Sequence, residues 1–174
     1  MNLAKIIRNI PDFPKPGIMF KDITPVLLNS DAFKYSIDEF IVLIKDLDFD
    51  VIVAIESRGF FFGAPIADRL GVPLAILRKP GKLPADVIKK TYQLEYGDAT
   101  LEIHSDSIKP GDKCLIIDDL LATGGTAKAS AELCEDLGGI ITGLLFLVEL
   151  CDLPGSKLLS NYPVFSLVKF GDGL

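Results

Sequence analysis

The sequence contains no tryptophan, one histidine and three cysteines, and no long apolar run. Each shortage excludes something. Cys114, Cys134 and Cys151 stand far apart in the chain, in apolar surroundings and without metal-ligand spacing, so they read as reduced core residues of a cytoplasmic protein. Runs such as Leu144 to Val148 fall far short of the ~20 apolar residues that span a bilayer. The segment Met1 to Asn9 is amphipathic and broken by Lys5 and Arg8, too short and too charged for a secretory signal. No targeting or membrane segment, internal repeat, low-complexity tract or linker is expected. Positive charge is also scarce: 18 Lys and Arg against 24 Asp and Glu give a net charge of −6, which argues against a nucleic-acid or anionic-membrane surface.

What is present is one domain's worth of chain, residues 1–174, with 49% hydrophobic content to fill one core. Its organising stretch is Cys114 to Ala127. The apolar run Leu115 to Ile117 reads as a buried strand that leaves its sheet at the pair Asp118 and Asp119. Ala122, Thr123, Gly124, Gly125 and Thr126 follow, small enough for a tight turn whose amides face inward as an anion cradle. From Thr126 the spacing becomes helical and stops at Gly138 and Gly139. The helix's free amides and positive dipole end would then face a phosphate held by the loop. Carboxylates beside a phosphate cradle point to a sugar phosphate, whose hydroxyls can donate to the acids while its phosphate takes the amides. No Gly-Lys-Ser/Thr follows the glycines, so this is not a P-loop. The alternative is a plain turn before a capped helix, with two solvated aspartates.

Val51 to Ile55 repeats the arrangement: an apolar strand emptying into Glu56, Ser57, Arg58 and Gly59, then a helical run to Gly71. Two such loops on one sheet edge can hold two ends of an extended ligand. In so acidic a chain, a polyanion needs a local cationic pocket, for which Arg58, Arg78, Lys79, Lys82 and Lys21 are the candidates. Arg58 suits a diphosphate because a guanidinium makes paired hydrogen bonds to phosphate oxygens, the alternative being a surface salt bridge. Arg78 to Lys90 is rich in lysine, proline and glycine and reads as a mobile basic lid or a solvated tip. Thr91–Tyr96 and Thr100–His104 flank Gly97-Asp98 as a hairpin. The prolines from Pro11 to Pro25 imply a rigid extended segment without continuous helix or sheet. Asp31 to Leu47 has helical periodicity behind an Asp cap, and Leu74–Leu77, Ile140–Val148 and Val164–Phe170 read as further strands. Strands alternating with crossovers predict an α/β fold, a mostly parallel twisted sheet flanked by helices.

The stretch from Asp118 to Thr126 resembles the phosphoribosyl diphosphate motif of the type I phosphoribosyltransferases. Phe13 to Pro25, Glu56 to Phe60, Arg78 to Pro84 and Leu94 to Gly97 resemble, in family order, the branch that acts on adenine. The resemblance implies the type I fold with a small N-terminal hood, about residues 1–30, and a flexible lid hairpin, about 78–104. It implies transfer of a 5-phosphoribosyl group from phosphoribosyl diphosphate to adenine in purine salvage. Asp118 and Asp119 would bind the ribose hydroxyls, and Ala122 to Thr126 the 5-phosphate. Ser57, Arg58, Arg78, Lys79 and Lys82 would meet the diphosphate. Met19, Phe20, Lys21 and Leu120 would surround the adenine, Phe20 stacking on it unless it is simply core. Lys21 stands where arginine is often expected. Glu95 would handle the proton at the base, joined as catalytic residues by Arg58 and Lys82, unless it is an exposed strand carboxylate. His104 matches no family site, which leaves out a histidine-based mechanism. Mg²⁺ is implied as a cofactor held mainly by substrate oxygens, with no direct protein ligand. A homodimer is implied too, consistent with the run Phe60 to Phe62, which could equally fill the core. Neither nucleic acid nor membrane is expected as a partner. The rival readings are a salvage enzyme for another purine and a ligand-sensing regulator.

Overall fold

The computed structural model describes residues 1–93 and 97–171. After a single 3₁₀ turn, β1 (Arg8–Ile10) and β2 (Phe20–Asp22) pair antiparallel, so the proline-rich segment does carry a small sheet. Pro11, Pro14 and Pro16 occupy the connection between the two strands, where no ladder hydrogen bond is needed. A short α1 (Thr24–Leu28), with Pro25 in its first turn, leads to α2 (Ser30–Ile44). The cap of α2 is Asn29 rather than Asp31: the Asn29 side chain accepts the N–H groups of Asp31 at 3.1 Å and Ala32 at 3.0 Å.

The chain then alternates through β3 (Val51–Ile55), α3 (Gly59–Leu70) and β4 (Leu74–Leu77) before the hairpin β5 (Val87–Gln93) and β6 (Asp98–His104). It returns to the main sheet with β7 (Lys113–Leu121), α4 (Gly125–Asp136), β8 (Ile140–Leu150), the short α5 (Gly155–Leu158) and β9 (Val164–Phe170). Five of these strands form one parallel sheet in the order β4-β3-β7-β8-β9. Val87 to Lys90, expected in a mobile connection, lie in β5 instead. Val87 and Ile88 are β-branched and pair with His104 and Ile103, so the hairpin begins earlier than its Gly-Asp turn advertises.

Strand alternation sorts the core onto two faces. Ile52, Ala54, Leu115 and Ile117 pack with Phe40 of α2 and Phe62 and Ile66 of α3. Val51, Val53, Ile55 and Ile116 face the other way, against Ala127, Ala131 and Leu133 of α4 and Leu101 and Ile103 of the hairpin. Full burial of each Phe or Ile contributes roughly 1.5–3 kcal/mol relative to exposure. Helices on both faces leave the carboxyl ends of β3 and β7 as the open edge of the sheet. Of the three cysteines, Cys114 and Cys134 are buried as expected, but Cys151 is exposed just beyond β8.

Candidate active site

Asp118 and Asp119 sit near the carboxyl end of β7, but the strand does not leave the sheet at them. Leu120 and Leu121 go on pairing with Val148 and Glu149, because β8 is long enough to offer an edge beyond the acids. Asp119 is 3% exposed, and its N–H donates to Asp118 Oδ1 at 2.8 Å. Its Oδ2 lies 3.1 Å from Nε of Arg58, an ion pair without hydrogen-bond alignment, and is a buried oxygen that accepts no hydrogen bond among the described residues. Such an oxygen carries an unmet demand for a donor. Burial pushes the Asp118 carboxyl well above the usual range, and the neighbouring Asp119 charge pushes it further. Burial likewise raises Asp119, against the opposing pull of Arg58.

Residues 122–124 turn the chain from β7 into α4. Gly124 takes φ +85°, a left-handed conformation that a side chain would strain, and α4 begins at the next residue. The loop from Ala122 to Thr126 wraps a recess of about 180 Å³ that also reaches Arg58, both aspartates and Leu120. The first-turn amides of α4 have no partners inside the helix, and they make the end that lines this recess an anion-binding one.

A larger cavity of about 490 Å³ adjoins it and is lined by Ser57, Arg58, Lys79, Asp118, Asp119 and Thr126, together with Tyr92 of the hairpin. The two recesses share Arg58, the acid pair and Thr126. One extended ligand can therefore run from the glycine loop past the acids to the loop after β3. Amides, carboxylate acceptors and cations line the path in that order.

Other expected residues lie elsewhere. The Arg78 guanidinium is taken by Glu56, at 2.9 Å and 3.3 Å, and Glu56 also accepts the Lys79 N–H at 2.8 Å. The hydrogen bond from Arg78 is the main cause holding Glu56 below its ordinary pKa, in spite of burial. Lys82 is exposed and lines neither recess, although its carbonyl oxygen accepts a hydrogen bond from Arg78 at 3.3 Å. In the hood, the Arg58 guanidinium lies over the Phe20 ring at 5.6 Å, and Phe13 meets the same ring edge-on at 5.1 Å. Met19 is exposed. Lys21 points away from the cavities, with Nζ donating to Asn9 Oδ1 at 2.8 Å and sitting 4.0 Å over the Phe170 ring. Glu95 lies outside the described residues.

Two participants were not anticipated from sequence. Tyr92 reaches across from β5, its hydroxyl 3.0 Å from Thr126 Oγ1, so the hairpin rests on the glycine loop. The inward alternation of Ile88, Lys90 and Tyr92 was the available signal. Glu56 was noted in its motif without a role, yet it fastens the start of the lid to the loop after β3. Among the described residues no group of three or more His, Cys, Asp or Glu is gathered for a metal, and no helix is long and apolar enough to cross a membrane.

Comparison with known proteins agrees with this geometry. Residues 27–169 match the family model described as the phosphoribosyl transferase domain. The adenine phosphoribosyltransferase of Agathobacter rectalis is 56% identical over 94% of this chain and 94% of its own length. The crystal structure of adenine phosphoribosyltransferase from Thermoanaerobacter pseudethanolicus superposes with a TM-score of 0.94 at 54% identity, covering 97% of this chain and 98% of that one. The Saccharomyces cerevisiae enzyme, solved with adenine and an imino-altritol bisphosphate, gives 0.88 at 39% identity, with 94% and 95% covered.

Proposed function

This chain belongs to the adenine phosphoribosyltransferase family, and we propose a division of labour among its residues for making AMP and diphosphate from adenine and phosphoribosyl diphosphate. The observation that carries it is the buried Oδ2 of Asp119, ion-paired with Arg58 but accepting no hydrogen bond among the described residues, beside an amide-lined recess. An oxygen of that kind suits a sugar hydroxyl, and a recess of that kind suits the phosphate of the same sugar.

The 5-phosphate enters the loop of Ala122 to Thr126, and the ribose hydroxyls donate to Asp118 and Asp119. Ser57, Arg58 and Lys79 line the side where the diphosphate leaves. As the bond to diphosphate breaks, the ribose ring gains positive character, and the two carboxylates beside it stabilise that charge while Arg58 offsets the charge on the departing group. Arg78, held by Glu56, fixes the root of the lid, and Lys82 arrives when the lid closes and excludes water. Phe20 offers its face to the base once the Arg58 guanidinium turns toward diphosphate, Met19 supplies backbone polar groups, and Leu120 closes the wall. Glu95 accepts the proton that the attacking ring nitrogen sheds. Lys21, tied to Asn9 and Phe170, acts on the hood rather than on the base.

Mg²⁺ fits a donor set made of carboxylate and substrate oxygens, and Asp118 and Asp119 would hold it through its water shell. When bound, it disperses negative charge on the diphosphate. We place the reaction in the cytoplasm, a reading supported by three unpaired thiols. We also take the working unit as a homodimer, supported by Phe61, which is 45% exposed on α3 while Phe62 is buried in the core.

The test is to incubate the protein with Mg²⁺ and phosphoribosyl diphosphate and to follow diphosphate release with each purine base in turn. Release with adenine, accompanied by AMP, is expected. Equal release with guanine or hypoxanthine would overturn the adenine assignment, and ligand binding without release would overturn the catalytic one.

A further inference from the structure

At the carboxyl end of β8, one residue beyond the apolar run, Glu149 is 6% exposed although it is charged. Three groups hold it: the Ser156 hydroxyl donates to Oε1, the Ser166 hydroxyl donates to Oε2 at 2.6 Å, and the Lys169 ammonium lies 3.4 Å from Oε2. Burial alone would raise its pKa, but these partners outweigh it and leave the carboxyl below its ordinary value. None of the catalytic steps above uses this carboxylate, so its burial needs another explanation.

The explanation lies one residue from Ser156. Gly155 is buried, and a Cβ built on it would land on the Ala122 carbonyl oxygen, well inside van der Waals contact, and 2.8 Å from Leu121 Cδ1. A Cβ on Gly124 would in turn stand 3.0 Å from Gly155 Cα. The turn at Gly155 is therefore pressed backbone to backbone against the glycine loop. Glu149 is also paired in register with Leu121, the residue that opens that loop. A loop that binds through main-chain amides needs its backbone held in place, because it has few side chains of its own to anchor it.

We propose that Glu149 is a positioning residue that, through Ser156, clamps the Gly155 turn against the Ala122–Thr126 loop and so fixes the amides that receive the 5-phosphate. This rests on the reading of that loop as the 5-phosphate site. The carboxylate supplies two strong acceptors in a dry setting: one fastens the turn, and the other fastens β9 through Ser166.

Steady-state kinetics of the full chain test it. Ser156→Ala and Glu149→Gln are each expected to raise KM for phosphoribosyl diphosphate about tenfold, the worth of one charge-assisted hydrogen bond, while leaving kcat and KM for adenine within about twofold. Ser156→Thr, which keeps the hydroxyl, should restore the wild-type KM. A merely structural role would lower the melting temperature without this split. Wild-type KM in a folded Ser156→Ala protein overturns the proposal, and that variant decides alone should Glu149→Gln fail to fold. Thr126→Ala separates the two readings. If it raises KM for phosphoribosyl diphosphate while Ser156→Ala does not, only the clamp falls; if neither variant raises it, the phosphate-loop reading falls and the clamp with it.

Discussion

Replacing Asp118 with asparagine should make the protein more stable and a poorer catalyst at once. The folded state keeps the Asp118 carboxyl in a site that penalises its charge, first through desolvation and then through the adjacent Asp119 charge. The sign follows from proton binding. With its pKa raised above the unfolded value, the folded protein holds more protons on this group than the unfolded chain does, so stability falls as pH rises through that window and is lowest above it. Above its unfolded pKa the group is thus a standing cost to folding. Asparagine keeps the oxygen that accepts the Asp119 N–H and removes the charge. Effective penalties for buried ions reach several kcal/mol. After subtracting the lost attraction to Arg58, a gain on the order of 1–2 kcal/mol remains, or about 2–8 °C in melting temperature for a chain of this size. Activity moves the other way. Loss of one charge-assisted hydrogen bond to a ribose hydroxyl, ~1.5–3 kcal/mol, lowers kcat/KM roughly 10- to 150-fold. Scanning calorimetry at several pH values and steady-state kinetics read both quantities. The stability gap between variant and wild type should narrow as pH falls and the acid pair, which titrates as a unit, takes up its proton. A melting temperature below wild type at neutral pH would refute the burial argument, and undiminished kcat/KM would remove Asp118 from the site.

Three further outcomes are expected. Asp119→Asn should cut turnover at least tenfold, since it removes the charge that pairs with Arg58 and turns one acceptor oxygen into a donor; a diphosphate-release assay at saturating substrate checks this. Gly59→Ala should lower stability by roughly 1–3 kcal/mol and depress activity, because the new Cβ would meet the Ile117 carbonyl oxygen at 2.7 Å and Asp118 Oδ1 at 3.2 Å. Calorimetry measures the first effect, and unchanged stability would show that α3 can shift freely. Tyr92→Phe removes the hydroxyl that occupies Thr126 Oγ1, so KM for phosphoribosyl diphosphate should fall about threefold as the threonine hydroxyl becomes free for the phosphate while the loop backbone stays held. A higher KM would mean that Tyr92 grips the substrate instead.

How far the sequence could be read depended on whether its signals were local. Val51 to Ile55 are all buried, and an unbroken apolar run of that length bounded by polar residues could scarcely be anything but a central strand. Asp118 to Thr126 was legible for the same reason, since acids, small residues and helix start follow one another along nine positions of chain. Contacts made by topology were hidden. Tyr92 and Thr126 are 34 residues apart and Glu56 and Arg78 22 apart, and no periodicity announces either pair. Lys21 sat in a motif read as base-binding, yet pairing of β2 with β1 sets it directly opposite Asn9 and commits its ammonium there. At the start of α2, Asn29, Ser30 and Asp31 are all good capping residues, and the extended backbone at Asn29 decides among them.

Arg58 reaches in two directions, 3.1 Å from the Asp119 carboxylate on the sheet and 5.6 Å from the Phe20 ring in the hood. A planar guanidinium serves both neighbours at once, which the compact point charge of a lysine would not reproduce. Substitutions at position 58 should therefore touch both substrates in opposite senses: handling of the sugar diphosphate would deteriorate, while the face of Phe20 would stand uncovered for the purine from the outset.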